Sequence, residues 1–148
     1  MDINDKAPEF TLLDQDENKV SLKDFRGKTV VLYFYPRADT PGCTKEACGF
    51  RDNIDALKAQ NVEVIGVSFD NGDSHQKFIT KYNLNFPLIA DTDGKIADAY
   101  GVRITGRNMA NRVSFLIGLD GKIVHVTNSP NADTHLTEMK AAAAKLKG

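Results

Sequence analysis

Val30 Val31 Leu32 Tyr33 Phe34 Tyr35 is an unbroken apolar run, and Pro36 Arg37 Ala38 Asp39 Thr40 Pro41 Gly42 Cys43 follows it directly. A short run without polar alternation reads as a strand covered on both faces. Pro36 stops that strand. Thr40 and Pro41 then read as a helix start, with threonine as N-cap and proline at the first helical position, where its missing N–H costs nothing. Cys43 lands in the first turn. Cys43, Ala47, Phe50, Ile54 and Leu57 recur at the spacing of one helical stripe packed on a sheet, so the helix runs to about Gln60 and Asn61.

A second core strand follows at 62–69, and strand, helix and strand make a right-handed βαβ unit with parallel strands. Upstream, Phe10 Thr11 Leu12 Leu13 and Val20 Ser21 Leu22 flank the polar turn 14–19, a hairpin pattern within 7–22. Downstream, the turn at 70–73 opens a helix over about 74–82 with Phe78, Ile79 and Tyr82 as its apolar contacts, broken by Asn83 and Asn85. A short strand at 86–90 is confined by Pro87 to an edge or a first-residue role. A short helix at 95–100 closes on Gly101, and 101–111 is a loop. Strands at 113–117 and 122–127 form a second hairpin, in which Asp120 and Gly121 are expected to supply the positive-φ positions. The last helix starts in 129–133, with Leu136, Met139, Ala143 and Leu146 as its stripe and Lys140, Lys145 and Lys147 suiting its negative end. The order βαβ, α, ββα is that of a thioredoxin fold. The expectation is therefore an α/β protein with a central mixed sheet flanked by helices, an N-terminal hairpin extension and an insertion over 86–111. A single domain over 1–148 accommodates all of it.

Composition narrows the function classes. The 19 basic and 20 acidic residues nearly cancel to a net charge of −1. The basic residues are also scattered, so no footprint for nucleic acid or for an anionic membrane appears. There is no signal-peptide core after Met1 and no membrane-length apolar run, and a cytoplasmic location is expected. Two cysteines are too few for a structural zinc site of their own, and no metal or cofactor is expected. His75, His125 and His135 lack metal-ligand spacing and read as structural. Tyr33, Phe34 and Tyr35 read as core.

Free cysteines are more often packing residues than reagents, so a reactive pair needs independent support. Cys43 has three such features. Unsatisfied backbone N–H groups and the helix dipole favour an anion at its position. A threonine hydroxyl, Thr40, precedes it by three residues. The strand, proline turn and helix put its sulfur at the carboxyl end of a strand, where open α/β sheets bind ligands. Cys48 lies about 140° round the helix and about 7.5 Å further along it. A disulfide needs Cα atoms within about 7 Å and converging Cβ vectors, so bridging the two thiols would require local unwinding.

At these residues the chain resembles the peroxiredoxins, in the branch called bacterioferritin comigratory protein or peroxiredoxin Q. Pro36, Thr40 and Cys43 fill that family's pattern, Glu46 and Phe50 fit it, and Cys48 occupies the resolving position common in this branch. The resemblance continues through Asp91, Gly94, Tyr100 Gly101 Val102 and 112–117. It implies that Cys43 is the peroxide-attacking nucleophile and Cys48 the resolving cysteine. Arg112 would be the cation at the sulfur, Thr40 and the Cys43 N–H would orient the peroxide, and Pro36 would shield the pocket. Glu46, about 60° from Cys43 on the helix, would position the arginine. It further implies hydrogen peroxide or organic hydroperoxides as substrates, thioredoxin or a similar dithiol protein as reductant, and a monomer. Two positions depart from the pattern: Val113 stands where a Ser or Thr is common after the arginine, and Ile117 Gly118 where isoleucine and aspartate are usual. Two other readings remain open at this level. One is a thioredoxin-like disulfide exchanger, against which the wide Cys spacing speaks. The other is a redox-regulated binding module without catalysis.

Overall fold

The computed structural model describes residues 2–147, so the ends of the expected domain, Met1 and Gly148, and the Lys147 side chain lie outside the described residues. The central strand is β3 (Thr29–Phe34), every residue of which is buried. It pairs in parallel with β4 (Val62–Ser68) and antiparallel with β6 (Val113–Ile117), with Leu32 opposite Ile65 on one side and Phe115 on the other. β5 (Leu88–Ala90) and β7 (Ile123–Asn128) complete a five-stranded sheet in the order β5-β4-β3-β6-β7. Pro87 precedes β5 at an edge, where a missing N–H is tolerated. A separate antiparallel hairpin, β1 (Thr11–Leu13) and β2 (Lys19–Ser21), precedes the sheet.

The period of two along β3 divides the core. Val31, Tyr33 and Tyr35 face α1 (Pro41–Ala59) and α4 (Ala132–Lys147), together with Cys43, Ala47, Phe50, Ile54, Leu57 and Met139. α2 (Gly72–Tyr82) adds Phe78 to the same side. Val30, Leu32 and Phe34 face the opposite way, toward the hairpin's Phe10 and Val20 and toward Ile96 of α3 (Lys95–Ala99). Helices on both faces of a mixed sheet, with the hairpin and the insertion added, are the expected thioredoxin-fold arrangement. No helix among the described residues is long and apolar enough to cross a membrane.

Two details differ from the sequence reading. Only Gly121, at φ +80°, takes a positive φ in the second hairpin, and Asp120 does not. Gly121 N–H donates to the Gly118 carbonyl and Gly118 N–H to the Lys122 carbonyl. The connection is long enough for an ordinary turn closed by one left-handed glycine, so the mirror-image turn is not required. In α4 the buried stripe is Ala132, His135, Met139 and Ala143, whereas Leu146 is 49% exposed. Leu146 lies beside Val124 and His125 at edge strand β7, where the sheet offers little to cover it.

Candidate active site

Antiparallel pairing sets Val113 opposite Phe34, which brings the start of β6 to the carboxyl end of β3. The first turn of α1 begins at that same end. Arg112, just before β6, and Cys43, in the first turn of α1, are far apart in sequence and meet there: Arg112 Nη2 is 3.4 Å from Cys43 Sγ. The other arm, Nη1, donates to Glu46 Oε1 at 2.8 Å. One planar guanidinium thus spans sulfur and carboxylate with fixed geometry, which a lysine ammonium could not do. Gly42 makes room for it, since a Cβ there would lie 2.8 Å from Nη2.

The three groups are enclosed. Cys43 is 1% exposed, the Glu46 side chain is fully buried, and the Arg112 side chain is 11% exposed. Burial pushes the Glu46 carboxyl up to about 7, against the pull of Arg112 in the other direction. For Arg112, burial acts to lower the pKa, but the charges of Glu46 and Cys43 outweigh it and the group stays protonated. Cys48 is half-buried further along α1, both thiols are free, and the helix between them is intact.

The loop before α1 is held from beneath. Ala38 N–H donates to Asp70 Oδ2 at 2.8 Å, and the Ser68 hydroxyl donates to the same oxygen at 2.7 Å. Because that hydroxyl proton is spent, His75 Nε2–H must be the donor in its 2.8 Å contact with Ser68 Oγ. Burial drives the His75 pKa down to about 4, so the ring is neutral. Asp39, at φ +58°, is fastened by Lys81 Nζ at 3.1 Å and Tyr82 OH at 2.9 Å. Thr40 stands at the N-cap position, but its side chain caps nothing. Its hydroxyl donates to the Arg37 carbonyl at 2.8 Å, leaving only oxygen lone pairs free. Pro36 and Arg112 line a groove of about 290 Å³ with Ile104, Asn111, Asn128, Ser129 and Pro130.

Of the six residues singled out in the sequence, Pro36, Thr40, Cys43, Glu46 and Cys48 therefore lie along β3's exit and the first turns of α1 and Arg112 just before β6, with Cys43 and Glu46 each in contact with Arg112 and Cys48 apart. Sequence reasoning missed Gly42, Asp70, Ser114 and His135. Ser114 sits two residues past Arg112, on β6, and its hydroxyl meets His135 Nδ1 at 2.7 Å. Its position relative to Arg112 was a readable signal, as was a histidine on the apolar stripe of α4. Val113 points into the opposite core. Among the described residues, no group of three or more His, Cys, Asp or Glu side chains could hold a metal ion.

Comparisons with known proteins agree with this arrangement. The model of the AhpC/TSA family matches residues 3–126. Peroxiredoxin Bcp of Escherichia coli (strain K12) is 44% identical over 137 residues, 88% of each chain. The crystal structure of peroxidoxin BcpB from Mycobacterium tuberculosis superposes with a TM-score of 0.94 at 33% identity, covering 100% of this chain and 99% of that one. Xanthomonas campestris bacterioferritin comigratory protein, whose structures were described in connection with alkyl peroxide reduction, gives 0.80 at 28% identity over 90% of this chain and 92% of that one. With this match of sequence and architecture along most of its length, the chain belongs to the AhpC/TSA family, in the bacterioferritin comigratory protein and peroxiredoxin Q branch of the peroxiredoxins.

Proposed function

We propose that the protein is a thiol peroxidase in which Cys43 is oxidised by the peroxide and Cys48 resolves the product. The observation that carries this reading is the largely enclosed guanidinium of Arg112, held between Cys43 Sγ at 3.4 Å and Glu46 Oε1 at 2.8 Å. A cation fixed beside a sulfur at a helix N-terminus stabilises the attacking thiolate and the charge that moves onto the departing oxygen. The sulfur attacks the terminal oxygen of ROOH. An S–O bond forms as the O–O bond breaks, and the alkoxide or hydroxide leaves and takes a proton from solvent. The Thr40 oxygen, its own proton committed to Arg37, accepts the peroxide O–H, while the Cys43 N–H at the helix tip donates. Pro36 keeps bulk water from the sulfur.

The sulfenic acid then condenses with the Cys48 thiol, forming an S–S bond and releasing water. The first turns of α1 unwind for this step, because the intact helix separates the two sulfurs. A dithiol protein such as thioredoxin returns both thiols. Hydrogen peroxide and organic hydroperoxides are both substrates, the latter supported by the groove at Pro36 and Arg112 and by the alkyl peroxide chemistry named for the Xanthomonas relative. The enzyme acts as a monomer in the cytoplasm, where reducing conditions keep the pair turning over. The test is Cys43→Ser. Peroxide consumption coupled to a dithiol reductant should vanish, and turnover near that of the parent would end this reading.

A further inference from the structure

Glu46 Oε2 has no hydrogen-bond partner although its side chain is fully buried. It faces His135 Nδ1, 3.6 Å away on α4 and equally buried. The other ring nitrogen fixes the tautomer. Nε2 is 2.7 Å from the Ser129 carbonyl, which can only accept, so Nε2 carries a hydrogen. In the neutral ring Nδ1 is then a lone pair, and the Ser114 hydroxyl donates to it. A charged carboxylate oxygen would thus face a lone pair inside the core, with nothing to satisfy it. One proton placed on either atom removes that conflict.

We propose that His135 is a positioning residue of this site, sharing one proton with Glu46 across the Oε2–Nδ1 gap so that the charge of Arg112 stays directed at the Cys43 sulfur. The inference rests on the peroxidase reading above only for its purpose. Without that proton, the buried group of Arg112, Glu46 and a Cys43 thiolate carries a net negative charge. With it the group is neutral, and negative charge on sulfur costs less. When the proton resides on Nδ1, the Ser114 hydroxyl turns its own proton away from the ring. Burial pushes the Glu46 carboxyl up and holds the His135 ring down, so the proton rests mainly on the carboxyl.

The other titratable groups facing the pair are Arg112 before β6, Cys43 on α1, Tyr33 and Tyr35 on β3, and Glu138 on α4. Burial raises both tyrosines well above their usual range, so they stay neutral. Hydrogen bonds from His125 and Thr127 hold Glu138 down, so it stays charged. Arg112 disfavours a proton on His135 and Glu138 favours it.

Two measurements test the proposal without using peroxide. In protein labelled with ¹⁵N-histidine, two-bond ¹H–¹⁵N spectra followed over pH 5–9 should show the His135 ring responding to a step near neutral pH that disappears in Glu46→Gln. In a Cys48→Ser background, the rate of Cys43 alkylation by iodoacetamide should fall about tenfold at pH 7 in His135→Leu, its acid limb moving up by about one pH unit. His135→Asn, which can offer an N–H that favours the charged Glu46 carboxylate, should restore neither the rate nor the step. An unchanged alkylation profile in folded His135→Leu overturns the coupling, and a His135 response identical in Glu46→Gln overturns the shared proton. Should His135→Leu fail to fold, the spectra of the parent and of Glu46→Gln decide alone. A protein that passes both tests yet consumes no peroxide refutes the peroxidase reading and leaves this inference standing.

Discussion

Gly42→Ala separates the activity of this site from its stability, because the two should move in opposite directions. A Cβ at Gly42 would lie 2.8 Å from Arg112 Nη2 and 3.6 Å from its Cζ, so the guanidinium must shift. The 2.8 Å bond to Glu46 Oε1 anchors the Nη1 arm, and the displacement falls on the looser 3.4 Å contact to Cys43 Sγ. A charge-assisted hydrogen bond of that kind is worth about 1.5–3 kcal/mol. At about 1.4 kcal/mol per tenfold, its loss in the transition state slows oxidation roughly 10- to 100-fold. Alanine is meanwhile a better helix former than glycine by up to about 1 kcal/mol, and Gly42 has no positive φ to protect, so the fold should be unharmed or slightly more stable. Stopped-flow measurement of a single peroxide turnover, with a thermal melt of the same sample, reads both quantities. A full oxidation rate would show that the Arg112–sulfur contact carries no catalysis, and a lowered melting temperature would show that the substitution acts through folding.

Cys48→Ser should still consume one equivalent of peroxide, leaving a sulfenic acid at Cys43 that a dimedone-type reagent traps, while turnover with a dithiol protein is lost; continued turnover with that reductant would remove Cys48 from the cycle. Amide exchange in the oxidised protein should show protection lost across residues 42–50 relative to the reduced form, and equal protection in both states would mean that the disulfide forms without unwinding. Glu46, raised by burial from 4.5 to about 7, gives stability that is complete below the unfolded value and is lost as pH rises through 7. Denaturant melts of Glu46→Gln should therefore lack a fall on the order of 3 kcal/mol present in the parent over that window. His75, lowered by burial from 6.5 to about 4, has the opposite sign: its stability is complete above 6.5 and lost as pH falls through 4. His75→Gln, which keeps a donor for Ser68, should hold its stability further into acid, and an unchanged acid limb would show that the ring is not buried neutral.

The architecture was legible because its signals are local. The period of two in β3, the Thr40 Pro41 helix start and the stripe from Cys43 to Leu57 each depend on near neighbours. Patterning weakened where burial depended on what lay opposite. Leu146 continued the stripe of α4 and still emerged exposed, because at edge strand β7 no further strand covers it. His135 looked like an ordinary helix-start histidine and is fully buried against Glu46. Thr40 stands at the cap position, yet its side chain caps nothing and its proton goes to the Arg37 carbonyl.

The sequence by itself determined the order of elements, the position of Cys43 at a helix tip and the separation of Cys48 from it, since each follows from the spacing of residues along one stretch of chain. Spacing along the chain could not say which charges meet, which the resemblance implied and the tertiary structure decided. Arg112 reaches Cys43 because β6 runs antiparallel beside β3, and Glu46 is raised toward neutrality because the packing of α1, α4 and the sheet withdraws it from water. Desolvation and Coulomb interaction act through space, so their strength is set by a fold that brings distant residues within a few ångströms and cannot be read from distance along the chain.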